Sequence, residues 1–198
     1  MSMYVEHDKR RKNILSRALD VFVDEGYENT TFQKIADRCG ITRTTLYLYF
    51  KNKKDFFNFS VKHFLENLES VITAIGKKKN LSAKDKLIQV MTYILEHLEE
   101  NRKLLSVVLD YLVHSSKGEQ DPFNKVRRRT MRLRHIQTPL IIEGKKSGEF
   151  SQDINVKDAN ELFYGIIEAA IFRLTVLRQN SIDELKDATK LAVMQLLK

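Results

Sequence analysis

Residues 30–53 read TTFQKIADRCGITRTTLYLYFKNK, and their spacing is that of two short helices crossing at a tight turn. The first is predicted over 32–39, where Thr30 or Thr31 can serve as the cap and Thr30 with Gln33 fits a capping box ahead of the apolar positions. The second is predicted over 43–50, with Thr42 as its N-cap. Between them Gly40 can adopt the left-handed conformation without the penalty a Cβ would bring, and the small Ala36 lets the two helices approach closely. Ile35, Ile41, Leu46 and Phe50 are expected to form the small core of the pair. With those four turned inward, Arg43, Thr44, Tyr47 and Leu48 are expected on the outer surface near the start of the second helix.

In helical pairs that read DNA, the first residues of the second helix meet base edges in the major groove. There an arginine such as Arg43 suits guanine O6 and N7, and Thr44 or Leu48 suits a thymine methyl. Thr31, Gln33, Tyr49, Lys51 and Lys53 suit phosphate oxygens, which fix register without reading sequence; Thr45 completes the candidate set. The basic cluster Lys9-Arg10-Arg11-Lys12 adds a sequence-independent attraction. The competing reading is a helical pair with Tyr47, Tyr49 and Phe50 as core aromatics and no partner, and spacing alone does not choose between the two.

Outward from this segment the pattern stays helical. Seven Gly and two Pro in 198 residues, with apolar residues recurring at helical spacing, predict helices throughout and no strand. One helix is predicted over 10–25, with Ile14, Leu15, Ala18, Leu19 and Phe22 on one face and Gly26 as its stop. A longer helix carries Phe56, Phe59, Phe64, Leu68, Val71 and Ile75 and ends at Gly76. Ser82 with Asp85 opens the next, and another covers 102–114. After a polar loop over 115–121, Pro122 is expected to start a long helix that Pro139 kinks and Gly148 ends. The last two helices are predicted over 156–178 and 182–197, the final one capped by Ser181 with Glu184.

The net charge is +8 and the pI about 9.5, a balance that favours nucleic acid, anionic membranes or acidic partners without selecting one. No apolar stretch approaches the ~20 residues of a membrane span, and the polar, basic start is unlike a signal peptide. The single cysteine, Cys39, allows no internal disulfide and is expected to be a packed thiol. A cytoplasmic protein is therefore expected.

His63, His97 and His114 fall on different predicted helices, without a Glu-x-x-His motif. Paired cysteines and Gly-rich phosphate loops are missing too, so neither a metal nor a cofactor is expected. No acid, base or nucleophile cluster has catalytic spacing, which argues against an enzyme. Arg127, Arg128, Arg129, Arg132 and Arg134 are expected on a solvated helix face flanking Val126, Leu133 and Ile136.

Gly26-Tyr27, Thr30-Thr31, Ile35-Ala36, Cys39-Gly40-Ile41-Thr42 and above all Leu46-Tyr47-Leu48-Tyr49-Phe50-Lys51-Asn52-Lys53 resemble the N-terminal signature of TetR-type repressors. The resemblance covers about residues 10–58. It implies an all-α fold, with a three-helix DNA-binding domain over residues 1–54 that contains the helix-turn-helix. Residues 55–198 would then form a larger helical domain for effector binding and dimerisation. The implied function is an effector-responsive transcriptional regulator, a repressor released from a palindromic double-stranded DNA operator by a small molecule. The alternatives are an activator or a non-specific DNA-binding helical protein. Thr44 and Leu48 depart from the residues commoner in the family, Gly or Pro and His or an aromatic. Both lie on the expected reading surface, so the operator sequence is not implied; from about Lys62 onward no subfamily is recognised, so the effector is not implied either.

Given that resemblance, an effector pocket is expected among the helices of residues 56–163, since apolar pockets between helices commonly hold ligands. Phe64, Leu68, Met91, Leu95, Val108, Tyr111, Met131 and Phe163 are its candidate wall. The last two helices are expected to carry a homodimer interface. Leu162, Ile166, Ala169, Ala170 and Leu177 form one apolar stripe, with Gly165 permitting close approach. Leu185, Ala188, Leu191, Ala192 and Leu196 form another, and together they exceed what one subunit readily covers.

Overall fold

The computed structural model describes the backbone of residues 2–115 and 135–197 and the side chains of residues 10–111 and 135–197. The expectations placed on Pro122, Val126, Arg127, Arg128, Arg129, Met131, Arg132, Leu133 and Arg134, and on the side chains of Lys9 and His114, lie outside the described residues.

The described residues form nine helices. They are α1 (Ser2–Asn29), α2 (Phe32–Cys39), α3 (Arg43–Tyr47), α4 (Lys53–Gly76), α5 (Ala83–Glu100), α6 (Arg102–Ser115), α7 (Thr138–Ser147), α8 (Val156–Thr175) and α9 (Asp183–Met194). Extended pairing among them is confined to one isolated antiparallel bridge between Phe150 and Leu197. No helix among the described residues is long and apolar enough to cross a membrane. The chain folds as two compact units, Met1–Leu65 with Lys103–Asp121 and Glu66–Arg102 with Pro122–Lys198.

In the first unit, α1 begins earlier than its apolar face suggests and continues past Gly26. There the backbone leaves the helix at φ 77°, ψ 161°, a conformation that favours glycine. At the kink the Thr30 hydroxyl donates to the Gly26 carbonyl at 2.7 Å. That use of Thr30 overturns the expected capping box. Of the two candidate caps it is Thr31 that caps α2, accepting from the Lys34 N–H, and the Gln33 amide donates to Asp37. The core beneath holds Ile14, Leu15, Ala18, Phe22, Ile35, Leu46, Phe50 and Phe56, with Ile41 half-buried. The rings of Phe50 and Phe22 lie 4.7 Å and 5.3 Å from that of Phe56. Such aromatic pairs each add ~0.5–1.5 kcal/mol beyond the burial of their area. α6 contributes Asp110, whose carboxylate accepts the Tyr27 N–H at 2.7 Å just after the kink.

In the second unit, α5 buries Leu87, Val90, Met91, Ile94, Leu95 and Leu98 against α7, α8 and α9. Ser82 caps α5 through the Asp85 N–H, as the sequence predicts. The nearly buried ammonium of Lys86 is neutralised by Glu143 at 2.6 Å, the pairing a buried charge requires. Glu99 accepts from the Ile182 N–H and the Lys186 ammonium. Held by Glu99 and Asp183, Lys186 titrates well above an ordinary lysine.

Two expectations are corrected here. Pro139 does not kink a long helix. Residues 135–137 form a turn and Pro139 stands in the first turn of α7, where its missing N–H has no helical acceptor to satisfy. The Ser181–Glu184 capping box is absent as well. Ser181 accepts from the Asp183 N–H, and Glu184 reaches Arg173 on α8 at 3.0 Å.

Candidate nucleic-acid interface

α2 and α3 meet at Gly40, whose left-handed backbone (φ 67°, ψ 33°) returns its N–H to the Ala36 and Asp37 carbonyls. Gly40 is one of the few positions where the chain needs glycine's freedom. Thr42 caps α3 through the Thr45 N–H, and its hydroxyl lies 2.8 Å from that of Thr45. α3 is shorter than predicted and gives way to a turn after Tyr47. Leu46 is fully buried beneath it, and Phe50 is 1% exposed. These anchors fix which side of α3 faces solvent.

That side carries the candidate residues. Arg43 and Thr44 are exposed and Thr45 half-exposed. Tyr47 is 47% and Leu48 73% exposed, so the side chain of Leu48 stands almost wholly in water, where an apolar residue gains nothing without a partner. The Arg43 guanidinium donates to the Tyr47 hydroxyl at 3.0 Å, and the Tyr47 ring rests 5.1 Å from Phe32 at the start of α2. Thr31 and Gln33 are exposed at the same end of α2, Lys51 is exposed, and Tyr49 is half-buried.

Lys53 sits differently from its expected exposed position. Its ammonium donates to the Tyr27 carbonyl at 2.6 Å and to the Glu28 carbonyl at 3.1 Å, and it lies over the Tyr27 ring at 4.4 Å. It satisfies carbonyls at the C-terminal end of α1, where a cation is favoured. Arg11 also leaves the basic cluster. Its guanidinium stacks 3.7 Å from the Phe59 ring centroid and 4.9 Å from that of Phe50, while Arg10 and Lys12 stay exposed. Lys34 and Arg38 on α2 are tied to Glu25 and Asp24 on α1. Cys39 is half-buried with its sulfur 3.9 Å from the Ile14 carbonyl. Burial pushes its thiol up, against the opposing pull of Arg17 and Arg38, which favours the thiol over the reactive thiolate.

The candidate effector residues divide between the units. Leu68, Met91, Leu95 and Phe163 lie in the second unit, each at most 1% exposed. Phe64 is buried and Val108 and Tyr111 half-buried in the first. The Tyr111 ring packs 4.6 Å from Phe57 and 4.7 Å from Tyr27. A group that sequence reading missed is Gln137, fully buried beside Met91, with its amide nitrogen 3.3 Å from the Met91 sulfur. Among the described residues its carboxamide oxygen has no hydrogen-bond partner.

On α8 and α9, Leu162 and Leu191 are exposed, as is Leu177 just beyond α8, Gly165 and Ala188 are exposed, and Ile166, Ala169 and Ala192 are half-exposed. Ala170, Leu185 and Leu196 are corrected to core positions, at 0%, 8% and 5% exposure. The sequence reading missed Phe172, Val176 and Met194, which are each about half exposed. The first two continue the row Leu162, Gly165, Ile166, Ala169 at helical spacing, a signal that was present in the sequence. Among the described residues no group of His, Cys, Asp or Glu is arranged to hold a metal ion.

Comparison with known proteins adds to this geometry. Residues 14–58 match the bacterial regulatory proteins of the tetR family, and residues 57–197 match the C-terminal region of YsiA-like proteins. A fatty acid metabolism regulator protein of Bacillus subtilis is 28% identical over 162 residues, 80% of this chain and 79% of the relative. A TetR transcription regulator from Haloarcula marismortui superimposes with a TM-score of 0.77 at 18% identity, over 96% of this chain and 100% of the other. The transcriptional regulator FadR from Bacillus subtilis, solved in complex with stearoyl-CoA, does so with a TM-score of 0.68 at 24% identity, over 94% and 97%.

Proposed function

The chain belongs to the TetR family of bacterial regulatory proteins and is a ligand-responsive DNA-binding repressor; from that premise we propose how its residues carry the activity. Residues 1–54 grip DNA and residues 55–198 bind the effector and a second copy of the chain. The observation that carries this is the outer side of α3, where Arg43, Thr44, Tyr47 and Leu48 stand in solvent above the buried Leu46 and Phe50. In this geometry α3 enters the major groove. Arg43 reads guanine, and Leu48 or Thr44 meets a thymine methyl. The exposed Thr31, Gln33 and Lys51, with Thr45 and Tyr49 beside them, hold phosphates.

The chain acts as a homodimer through α8 and α9. The row Leu162, Ile166, Ala169, Phe172 and Val176 on α8 and the exposed Leu191 and Met194 on α9 are more apolar surface than a monomer ordinarily leaves open. A two-fold axis through these helices presents two copies of α3 to successive major grooves, ~34–36 Å apart, and so requires a pseudo-palindromic site.

The effector is an acyl-coenzyme A thioester with a long apolar chain. Supporting this are the fatty acid metabolism regulator at 28% identity, the FadR neighbour solved in complex with stearoyl-CoA and the acidic character of such a ligand beside a chain of net charge +8. Binding favours a dimer whose two reading helices no longer match the operator. The test is a gel shift of the full-length protein on a duplex selected from a random pool, with stearoyl-CoA added in steps. Release of the duplex at micromolar thioester is expected. Unaffected binding would remove the effector assignment, and failure to enrich any duplex would remove the DNA reading.

A further inference from the structure

Arg43 and Tyr47 are four residues apart and therefore neighbours on one face of α3. One amino group of the guanidinium donates to the Tyr47 hydroxyl at 3.0 Å, and the guanidinium carbon lies 5.6 Å from the ring centroid. Tyr47 is itself braced from behind. Its ring packs 5.1 Å from Phe32 at an interplanar angle of 49°, and Phe32 is buried at the first turn of α2, directly after the Thr31 cap. A line of contact thus runs from the fixed start of α2, through two rings, to the head of an exposed arginine.

An unrestrained arginine is a poor reader, because a bidentate bond to guanine fixes a planar fork in one orientation and the long side chain must surrender its freedom to reach it. A partner that holds the fork in advance removes part of that cost. The guanidinium has five N–H groups. One is committed to Tyr47, so four remain, more than the two that guanine O6 and N7 require. The tyrosine hydroxyl uses only a lone pair in this contact.

We propose that Tyr47 is a positioning residue for base recognition: braced by Phe32, its hydroxyl holds the Arg43 guanidinium in the orientation that reads guanine, so Tyr47 sets sequence preference without touching a base. The proposal rests on the reading of α3 as the recognition helix. It differs from a phosphate contact by Tyr47, which would strengthen every sequence alike.

The test uses the full-length protein and the duplex that wild type selects from a random pool, competed against the same duplex with each guanine of the half-site replaced in turn. Arg43→Ala identifies the guanine that Arg43 reads as the one whose preference collapses, by about 10-fold or more. Tyr47→Phe, which keeps the ring on Phe32 and removes only the oxygen, should lower preference at that same guanine by about 3- to 10-fold, a part of what the bidentate pair supplies. It should leave preference at the other positions, and the dependence of affinity on salt, as in wild type. In the Arg43→Ala background Tyr47→Phe should have no further effect. An equal loss on all duplexes with a shallower salt dependence would make Tyr47 a phosphate ligand and overturn the proposal. So would independent, additive effects of the two substitutions, or a Tyr47→Phe variant that reads as wild type does. In each of those cases Arg43→Ala still loses its guanine and the recognition helix stands. If Arg43→Ala also changes nothing, it is the recognition helix that fails.

Discussion

Replacing Lys53 with alanine separates two accounts of that residue. As a phosphate ligand, Lys53 would leave stability untouched when removed, weaken all DNA sequences equally, and lower the slope of log affinity against log salt by about 0.9. The structure assigns it a different task, since its ammonium bonds the Tyr27 and Glu28 carbonyls and covers the Tyr27 ring. Hydrogen bonds from a charged donor contribute ~1.5–3 kcal/mol when desolvated. The Lys53 side chain is only half-buried, and water can reach the carbonyls it leaves, so the two bonds together are reduced to about 1–2 kcal/mol. The cation over the ring adds ~0.5–1 kcal/mol at an exposed site, giving a loss of about 2 kcal/mol. For a chain of this length each kcal/mol lowers Tm by roughly 2–4 °C, so Lys53→Ala should melt about 4–8 °C below wild type. Lys53→Met, which keeps the alkyl stem and loses only the charge, should recover little of that. Thermal unfolding followed by circular dichroism is the assay. An unchanged Tm in Lys53→Ala, together with the salt slope falling by about 0.9, would refute the reasoning.

Three further outcomes follow from the second unit. In Gly144→Ala the new Cβ would fall within the Phe150 ring; overpacking of ~1–3 kcal/mol outweighs the helix-propensity gain of ~1 kcal/mol, so urea unfolding should shift to lower denaturant. Gln137→Met removes a buried carboxamide oxygen that has no partner among the described residues while nearly keeping volume; it should stabilise the ligand-free protein by about 1 kcal/mol, visible as a higher Tm, and a lower one would show that the oxygen is satisfied. Ala169→Arg sets a charge in the middle of the exposed row on α8 and should give a folded monomer by light scattering with weak operator binding, whereas a variant that remains dimeric would place the interface elsewhere.

What could be read in the sequence follows from how local each signal is. Gly40 at the turn, the caps Thr42 and Ser82 and the stop at Gly148 are set by neighbours a few residues away, and the structure places each of them as read. The failures lie where a distant group competes. Spacing leaves Thr30 and Thr31 both able to cap α2 and pairs Thr30 with Gln33, but the Gly26 carbonyl at the kink takes the Thr30 hydroxyl, and Thr31 is the cap. Glu184 was expected in a capping box, but Arg173 on α8 draws it away.

Apolar period tells that a helix has a buried face without saying what covers it. For that reason Ala170, Leu185 and Leu196 were counted toward a dimer surface that they do not join, while Phe172 and Val176, on the same row as Ala169, were passed over. At the candidate DNA interface, burial of Ile35, Leu46 and Phe50 was enough to leave Arg43, Thr44, Tyr47 and Leu48 outside. The brace of Phe32 behind Tyr47, and the diversion of Arg11 and Lys53 into packing, depend on contacts across helices that no spacing rule contains.

A dimer that reads two half-sites through α3 can be detected by selecting duplexes from a random pool with the protein and sequencing what is retained. The expected outcome is an enriched pseudo-palindrome whose half-site centres are about one helical turn, or a whole number of turns, apart, each half carrying a guanine whose enrichment disappears in Arg43→Ala. An enriched site without two-fold symmetry, or a pool that stays random while the protein remains folded and dimeric, would contradict it.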